Sequence, residues 1–480
     1  MTITDAEFEN AGARIEAHYT ARPDRYPELR QTRIDSLGLA RWPTDYYTLR
    51  ASGSDHEAAI RRVEARMAQA AGEVPPVPPP GPGRRGVVRL EGRAFADDGG
   101  VYAALGLSEF PLLWLIRHEP DRAAQRAAWY RARGADYLRA FAEVGGPTWQ
   151  DRTIDPDHPG WPADVHAALT LARQHGLRLA WTLFAGPAGA HTAGWYQDTT
   201  RRFCALVAPA VPTVQMVEIR NEGEGPDDAT MRACAAIVRV LLPGVPVALC
   251  GTPEDGLGTL YHGSDATLAT IHYARTYAER GWRPVRQPWG YYELHDVPVA
   301  HVNNEPIGID SSGAAEADPV KLCGAALTSW VTGEAGYVLH HGAGIRAGGA
   351  ADLAKGRQAD PWDEPALEQA LALIGGAREF LPADVVTWAR HGHAWPSHPL
   401  DIHSDVGDAC EAPGGTGCNR CYAATSGDRA VVVIAGIRGR FLASTKSWPF
   451  TIYRPGWTHD APTGLIDVAE EDGALAVLIR

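Results

Sequence analysis

The sequence predicts a (β/α)8 TIM barrel with a helical N-terminal segment and a small C-terminal antiparallel β domain, and three observations carry that expectation. Eight short apolar runs alternate with helical patterns between residues 86 and 382. A stiff Pro-rich stretch, Pro75-Pro76-Val77-Pro78-Pro79-Pro80-Gly81-Pro82-Gly83, sets them apart from what precedes. After residue 382 the helical period disappears, and strand-like runs are joined by Gly-, Pro- and Asp-containing links. A chain of 480 residues has room for one domain of about 250–300 residues and one or two smaller ones.

Taken in order, residues 1–72 read as amphipathic helices with turns, with apolar positions at helical spacing over 57–67. They are too few and too polar for a substantial core, so they are expected to anchor the chain to copies of itself or to a larger partner, or else to be a dispensable tail. Residues 73–85 are the linker. Within 86–382 the strands are expected at 101–108, 136–141, 178–184, 214–221, 245–250, 268–272, 298–304 and 336–340. Helices fall between most of them, among them 123–133, 162–175, 228–242 and 319–331. A doubly wound open sheet is the competing architecture, but no Gly-rich nucleotide turn follows the first strand. In 383–480 strands are expected at 385–388, 430–434, 450–453 and 475–479.

Composition narrows the function. A net charge of −13 with no long basic run argues against a nucleic-acid binder. No apolar run reaches the about 18–20 residues of a membrane span, and the acidic start Met1-Thr2-Ile3-Thr4-Asp5-Ala6-Glu7 is no secretory signal. Cytoplasmic residence, or association with a virion and release by lysis, is therefore expected. Cys204, Cys234, Cys250 and Cys323 lie in apolar or helical stretches and read as buried free thiols. Cys410, Cys418 and Cys421 sit in a Gly-rich stretch near His403, where a zinc site, a disulfide or no role all stay open.

Two glutamates close apolar runs: Glu222 ends Val214-Gln215-Met216-Val217-Glu218-Ile219-Arg220-Asn221-Glu222, and Glu305 ends Val299-Ala300-His301-Val302-Asn303-Asn304-Glu305. In an alternating β/α chain both then lie on the rim where such barrels do chemistry. Facing carboxylates are what glycoside hydrolysis needs, one protonated to assist the leaving oxygen and one ionised to attack or to activate water. A glutamate after a strand also serves as a cap or an ion-pair partner. The competing nucleophiles are Glu293 and Glu334, neither of which closes an apolar strand as cleanly. Trp114, Trp149, Trp161, Trp195, Trp282 and Trp289 fall in or beside expected loops, where exposed indoles would suit a glycan cleft. His340 and His341, being adjacent on a strand, face opposite ways and do not share one metal.

Val217-Glu218-Ile219-Arg220-Asn221-Glu222 resembles the fourth-strand signature of the clan A retaining glycoside hydrolases, the cellulase and mannanase superfamily. The resemblance spans roughly 90–380. It implies Glu222 as acid/base, Asn221 as the ligand of the sugar 2-hydroxyl, and Glu218 as a buried structural carboxylate. Tyr137-Leu138-Arg139-Ala140-Phe141 looks like the second strand, whose Arg supports the nucleophile, and Ala269-Thr270-Ile271-His272-Tyr273 like the sixth, whose His lines the pocket. Glu305 falls where the family has its nucleophile. Arg139, His272 and Tyr273 are thereby implied as substrate-side residues.

The chain departs from the pattern at Gly223, at Pro306-Ile307-Gly308, at Val338-Leu339-His340-His341 without a Trp, and at Trp181-Thr182-Leu183-Phe184 without a His. These changes bear on the substrate more than on the fold. The expected activity is retaining hydrolysis of a β-linked oligo- or polysaccharide, requiring no metal or organic cofactor. The competing expectation is a glycan-binding part of a larger particle, such as a phage tail, with a barrel of weak or no activity.

Overall fold

The computed structural model describes residues 84–146, 151–222, 225–251, 260–272 and 299–309, most of 316–391, the strands between 402 and 479, and a few isolated positions elsewhere. The expectations for residues 1–72, for the Pro-rich linker up to residue 83, and for Cys410, Cys418 and His403 as ligands lie outside the described residues. Arg84, where the continuous described stretch starts, has its guanidinium 3.7 Å over the Tyr102 ring.

An antiparallel hairpin of β1 (Arg89–Glu91) and β2 (Ala94–Asp97), extended by β3 (Gly100–Val101), leads into the barrel. The eight barrel strands are β4 (Ala104–Ser108), β5 (Tyr137–Phe141), β6 (Arg178–Phe184), β7 (Val214–Arg220), β8 (Val247–Gly251), β9 (Leu268–Ile271), β10 (Ala300–Asn303) and β12 (Gly336–His341). Every neighbouring pair is parallel, and β10 pairs with β12 while β12 pairs with β4, so the sheet closes. All eight expected strands are present and the open-sheet alternative is excluded. The two-residue strand β11 (Gly308–Ile309) pairs beside β12.

These strands read as apolar runs because both faces are covered, by barrel interior on one side and by helices on the other. Val88, Phe95, Tyr102, Tyr137, Met216, Ala248, Leu268 and Val338 fill the N-terminal part of the interior, so the hairpin plugs the barrel floor. Gly106 on β4 is required there: a Cβ would come within 2.3 Å of the Tyr137 ring.

The helices follow their local signals. Helix α1 (Leu112–His118), α2 (Pro120–Ala132), α3 (Trp161–Gln174) and α4 (Ala193–Val207) flank the first strands. Asp227 caps α5 (Asp228–Leu241) by accepting from Thr230 N at 2.8 Å, and Met231, Cys234, Ala235 and Val238 form its buried stripe. Asp318 caps α6 (Pro319–Val331), with Pro at the first helical position. Unlike α5, α6 is buried on all sides from Leu322 to Val331. The short α7 (Gly342–Arg346) follows β12, and α8 (Pro365–Phe380) ends the barrel. Among the described residues no helix is long and apolar enough to cross a membrane.

The all-round burial of α6 is caused by the C-terminal region. There β13 (Ala389–His391), β15 (Cys421–Ser426), β16 (Arg429–Ala435), β18 (Phe450–Arg454), β19 (Trp457–Ala461) and β21 (Ala474–Ile479) form one sheet, and β14 (Ile402–Ser404), β17 (Gly439–Ala443) and β20 (Leu465–Val468) a second. The first sheet packs on α6 and α8, where Tyr453 donates its hydroxyl to Leu373 O at 2.6 Å. One expected strand is corrected: 385–388 is a 3-10 turn, Val385–Thr387, ending at Trp388. Val385 and Val386 are buried there by packing, which a short apolar run cannot distinguish from strand pairing.

Candidate active site

The inward face of the barrel changes character along its axis. Two residues beyond the apolar Tyr137, Ala180, Met216, Ala248, Leu268 and Val338, the same face presents Arg139, Thr182, Glu218, Cys250, Thr270 and His340. All six are buried. Strand alternation thus turns one short step in sequence into a polar layer towards the C-terminal rim.

Arg139 is the hub of that layer. It donates from Nη2 to Glu218 Oε2 at 2.9 Å and to Asn221 Oδ1 at 2.7 Å, and from Nη1 to Glu305 Oε1 at 2.6 Å. Glu218 also accepts from Asn304 Nδ2 at 2.8 Å and from the Thr182 hydroxyl. Burial alone would raise the Glu218 pKa, but Arg139, His272 and the Thr182 and Thr270 hydroxyls hold it below its ordinary value. Burial likewise opposes the charge on Arg139, yet Glu218 and Glu305 raise its pKa above the usual value. The guanidinium lies 5.0 Å from the centre of the Phe110 ring and 5.3 Å from that of Phe141. It is therefore held by charge and by packing together.

Above the layer stand the residues that end β7, β9 and β10. His272 Nδ1 lies 3.0 Å from Glu222 Oε1 and 3.6 Å from Glu305 Oε2. One oxygen of Glu222, one of Glu305 and a His272 nitrogen all lie within 4.8 Å of one another. The exposures differ: the Glu222 side chain is 36% exposed and that of Glu305 only 6%. Burial works against a charged imidazole, but Cys250, the Glu305 carboxylate and the bond to Glu222 raise the His272 pKa well above its usual value. Glu222 itself has φ of 42°, the one positive value at a non-glycine residue among those described.

Glu222, Glu305, Asn221, Arg139 and His272 are thus brought together at one rim, while Tyr273 and Glu293 lie outside the described residues. Glu334 is corrected: it precedes β12 and lies at the barrel's opposite rim, so it is no rival to Glu305. Trp161 serves ordinary packing rather than a cleft, a core residue whose indole donates to Ala142 O at 2.8 Å. Trp149 is buried as well, and Trp114 packs under the Arg152 guanidinium at 3.7 Å. Trp282 and Trp289 lie outside the described residues. His340 and His341 do face opposite ways, His340 Nδ1 to Ser108 Oγ at 2.8 Å and His341 Nδ1 to Glu364 Oε2 at 3.1 Å.

Three members of the site were missed by sequence reasoning. Asn304, beside Glu305, and Thr182, on the third strand, both bind Glu218. Cys250 was read only as a buried thiol, although it closes the apolar run of β8 just as Glu222 and Glu305 close theirs. That position was the available signal.

The molecule is therefore a closed parallel barrel with paired carboxylates at the C-terminal rim. No protein-family model matches the sequence, and no curated protein does. Among solved structures, a glycoside hydrolase superposes with a TM-score of 0.56 at 13% identity, over 83% of this chain and 96% of that one. A glycoside hydrolase family 5 protein from Bacteroides vulgatus ATCC 8482 superposes with a TM-score of 0.57 at 12% identity, over 83% of this chain and 92% of the other. What is shared at such identity is the fold.

Proposed function

We propose that this protein is a retaining O-glycoside hydrolase acting on a β-linked glycan, with Glu305 as nucleophile and Glu222 as acid/base. The observation that carries the reading is the approach of the two carboxylates to within 4.8 Å at the C-terminal rim. Retaining enzymes hold their carboxyl groups about 5–5.5 Å apart, whereas inverting ones leave about 6.5–9.5 Å for a water. The shared fold with two solved glycoside hydrolases adds support.

The residues divide the work by environment. Glu305 is buried against Arg139 Nη1, which favours its ionised form and aims one oxygen. Its carboxylate attacks the anomeric carbon as the bond to the leaving oxygen breaks, forming a glycosyl ester. The leaving oxygen takes a proton from Glu222, whose pairing with His272 Nδ1 at 3.0 Å fixes the carboxyl in position. Glu222, now ionised, removes a proton from the water that attacks the same carbon and releases Glu305. Asn221, whose Oδ1 accepts from Arg139, takes the role of substrate ligand beside the cleaved bond in this reading.

The test is a panel of aryl β-glycosides with the product anomer followed by NMR. The first-formed product should keep the β configuration. Failure to hydrolyse any β-glycoside, or an inverted first product, would overturn the proposal.

A further inference from the structure

Cys250 closes β8 within the polar layer and touches both ends of the acid/base machinery. Its Sγ accepts the backbone N–H of Glu222 at 3.3 Å. Glu222 is the residue forced into a left-handed backbone, a costly conformation for a residue with a side chain, held only where the surroundings fix it. The same sulfur lies within 4.8 Å of a His272 ring nitrogen and a Glu218 oxygen. His272 Nε2 is buried without a hydrogen-bond partner among the described residues, on a ring whose Nδ1 serves Glu222. Cys250 is fully buried and forms no disulfide. Burial pushes its thiol pKa up.

We propose that Cys250 is a positioning residue that locks the strained turn at Glu222 and keeps its carboxyl in register with His272, an inference resting on Glu222 being the acid/base. Five barrel strands contribute a group to this arrangement. Arg139 comes from β5, Glu218 from β7, Cys250 from β8, His272 from the end of β9 and Glu305 from the end of β10. Cys250 holds the Glu222 backbone rather than its side chain. Its loss therefore leaves Glu305 and Arg139 in place and selectively loosens proton delivery.

The experiment uses the full chain, with Cys250→Ala and Cys250→Ser, on two aryl glycosides of one sugar with a good and a poor leaving group. Cys250→Ala should lower kcat/KM on the poor leaving group about tenfold, the worth of one lost buried hydrogen bond, and the good one less than about twofold. The basic limb of the pH profile should move on the poor leaving group only, and Cys250→Ser, which keeps an acceptor, should recover most of the rate. Equal losses on both substrates with an unmoved limb would overturn the inference. Amide exchange at Glu222, read in chains labelled at glutamate and assigned through Glu222→Gln, provides a second measure independent of turnover. It should quicken in Cys250→Ala and not in Cys250→Ser; unchanged exchange overturns the role of Cys250 even if no glycoside is cleaved, the latter outcome bearing on the acid/base reading instead.

Discussion

His340 and His341 are consecutive on β12, yet they belong to two buried charge clusters on opposite sides of the strand. Outside the barrel, Arg126 grips Glu109 with Nε and Nη2, each at 3.0 Å, and Tyr130 donates to the same carboxylate at 2.5 Å. Arg126 also donates to Ala343 O at 2.9 Å and Ala359 O at 2.8 Å, while Glu364 accepts from Ala343 N at 2.7 Å. That cluster closes on itself, on backbone and on Asp360 at its edge, 3.3 Å from Arg126 Nη1, and Glu109, Arg126, Tyr130, His341 and Glu364 are each at most 3% exposed. Inside the barrel the same residue types are used, but Glu222 keeps 36% of its side chain in the reach of solvent. Buried charge by itself is thus no sign of catalysis. What distinguishes the inner cluster is a pair of carboxylates meeting at the C-terminal rim, the more open Glu222 beside the closed Glu305.

The largest effect should separate the clusters by activity. Glu305→Ala is expected to lower turnover on the order of 10⁵-fold, with azide partly restoring it and giving the inverted product. An active preparation unaffected by that substitution would end the assignment. Glu222→Ala should cost about 10²–10⁴-fold on glycosides with poor leaving groups and far less in the first step on good ones, read by burst kinetics.

For the outer cluster the prediction inverts. Arg126→Met should destabilise the chain by about 3–5 kcal/mol in denaturant titration, because the buried Glu109 charge keeps the Tyr130 hydroxyl but loses its cation. The kcat/KM of the molecules that remain folded should be unchanged, and a selective loss of activity would show the clusters to be coupled.

The smallest effect is one of pH. Burial depresses the His301 pKa from 6.5 to about 4. The unfolded chain therefore takes up a proton below about pH 6.5 that the folded chain refuses, and stability falls as pH drops from about 6.5 to about 4, by about 3 kcal/mol. Glu218 acts lower, its depressed pKa placing the loss of its stabilisation below pH 4.5. His301→Gln should flatten the upper window in thermal unfolding and leave the lower one.

The barrel was legible because each parallel strand buries both faces and so appears as an apolar run. Residues 178–184 and 319–331 take the very bounds their patterns imply. Glu222 and Glu305 were legible because a charged residue closing such a run must face the rim. What escaped depends on contacts between strands. Nothing local tells that Asn304 and Thr182 converge on Glu218, that Cys250 reaches the Glu222 amide, or that Trp161 turns into the core. The 3-10 turn at Val385–Thr387 escaped for a different reason, since three residues carry no period.

Because the sheet over α6 and α8 is ordered β13-β15-β16-β21-β18-β19, its inner member β21 comes after every other strand of that sheet in the chain. During synthesis the N-terminal portion of a chain ordinarily folds first. Here the helix between the seventh and eighth barrel strands, packed under β15, β16 and β21, lacks part of its outer cover until β21 has been made. The nascent barrel therefore waits for β21, and a chain cut before Ala474 leaves the outer side of α6 short of its cover, a natural target for quality control.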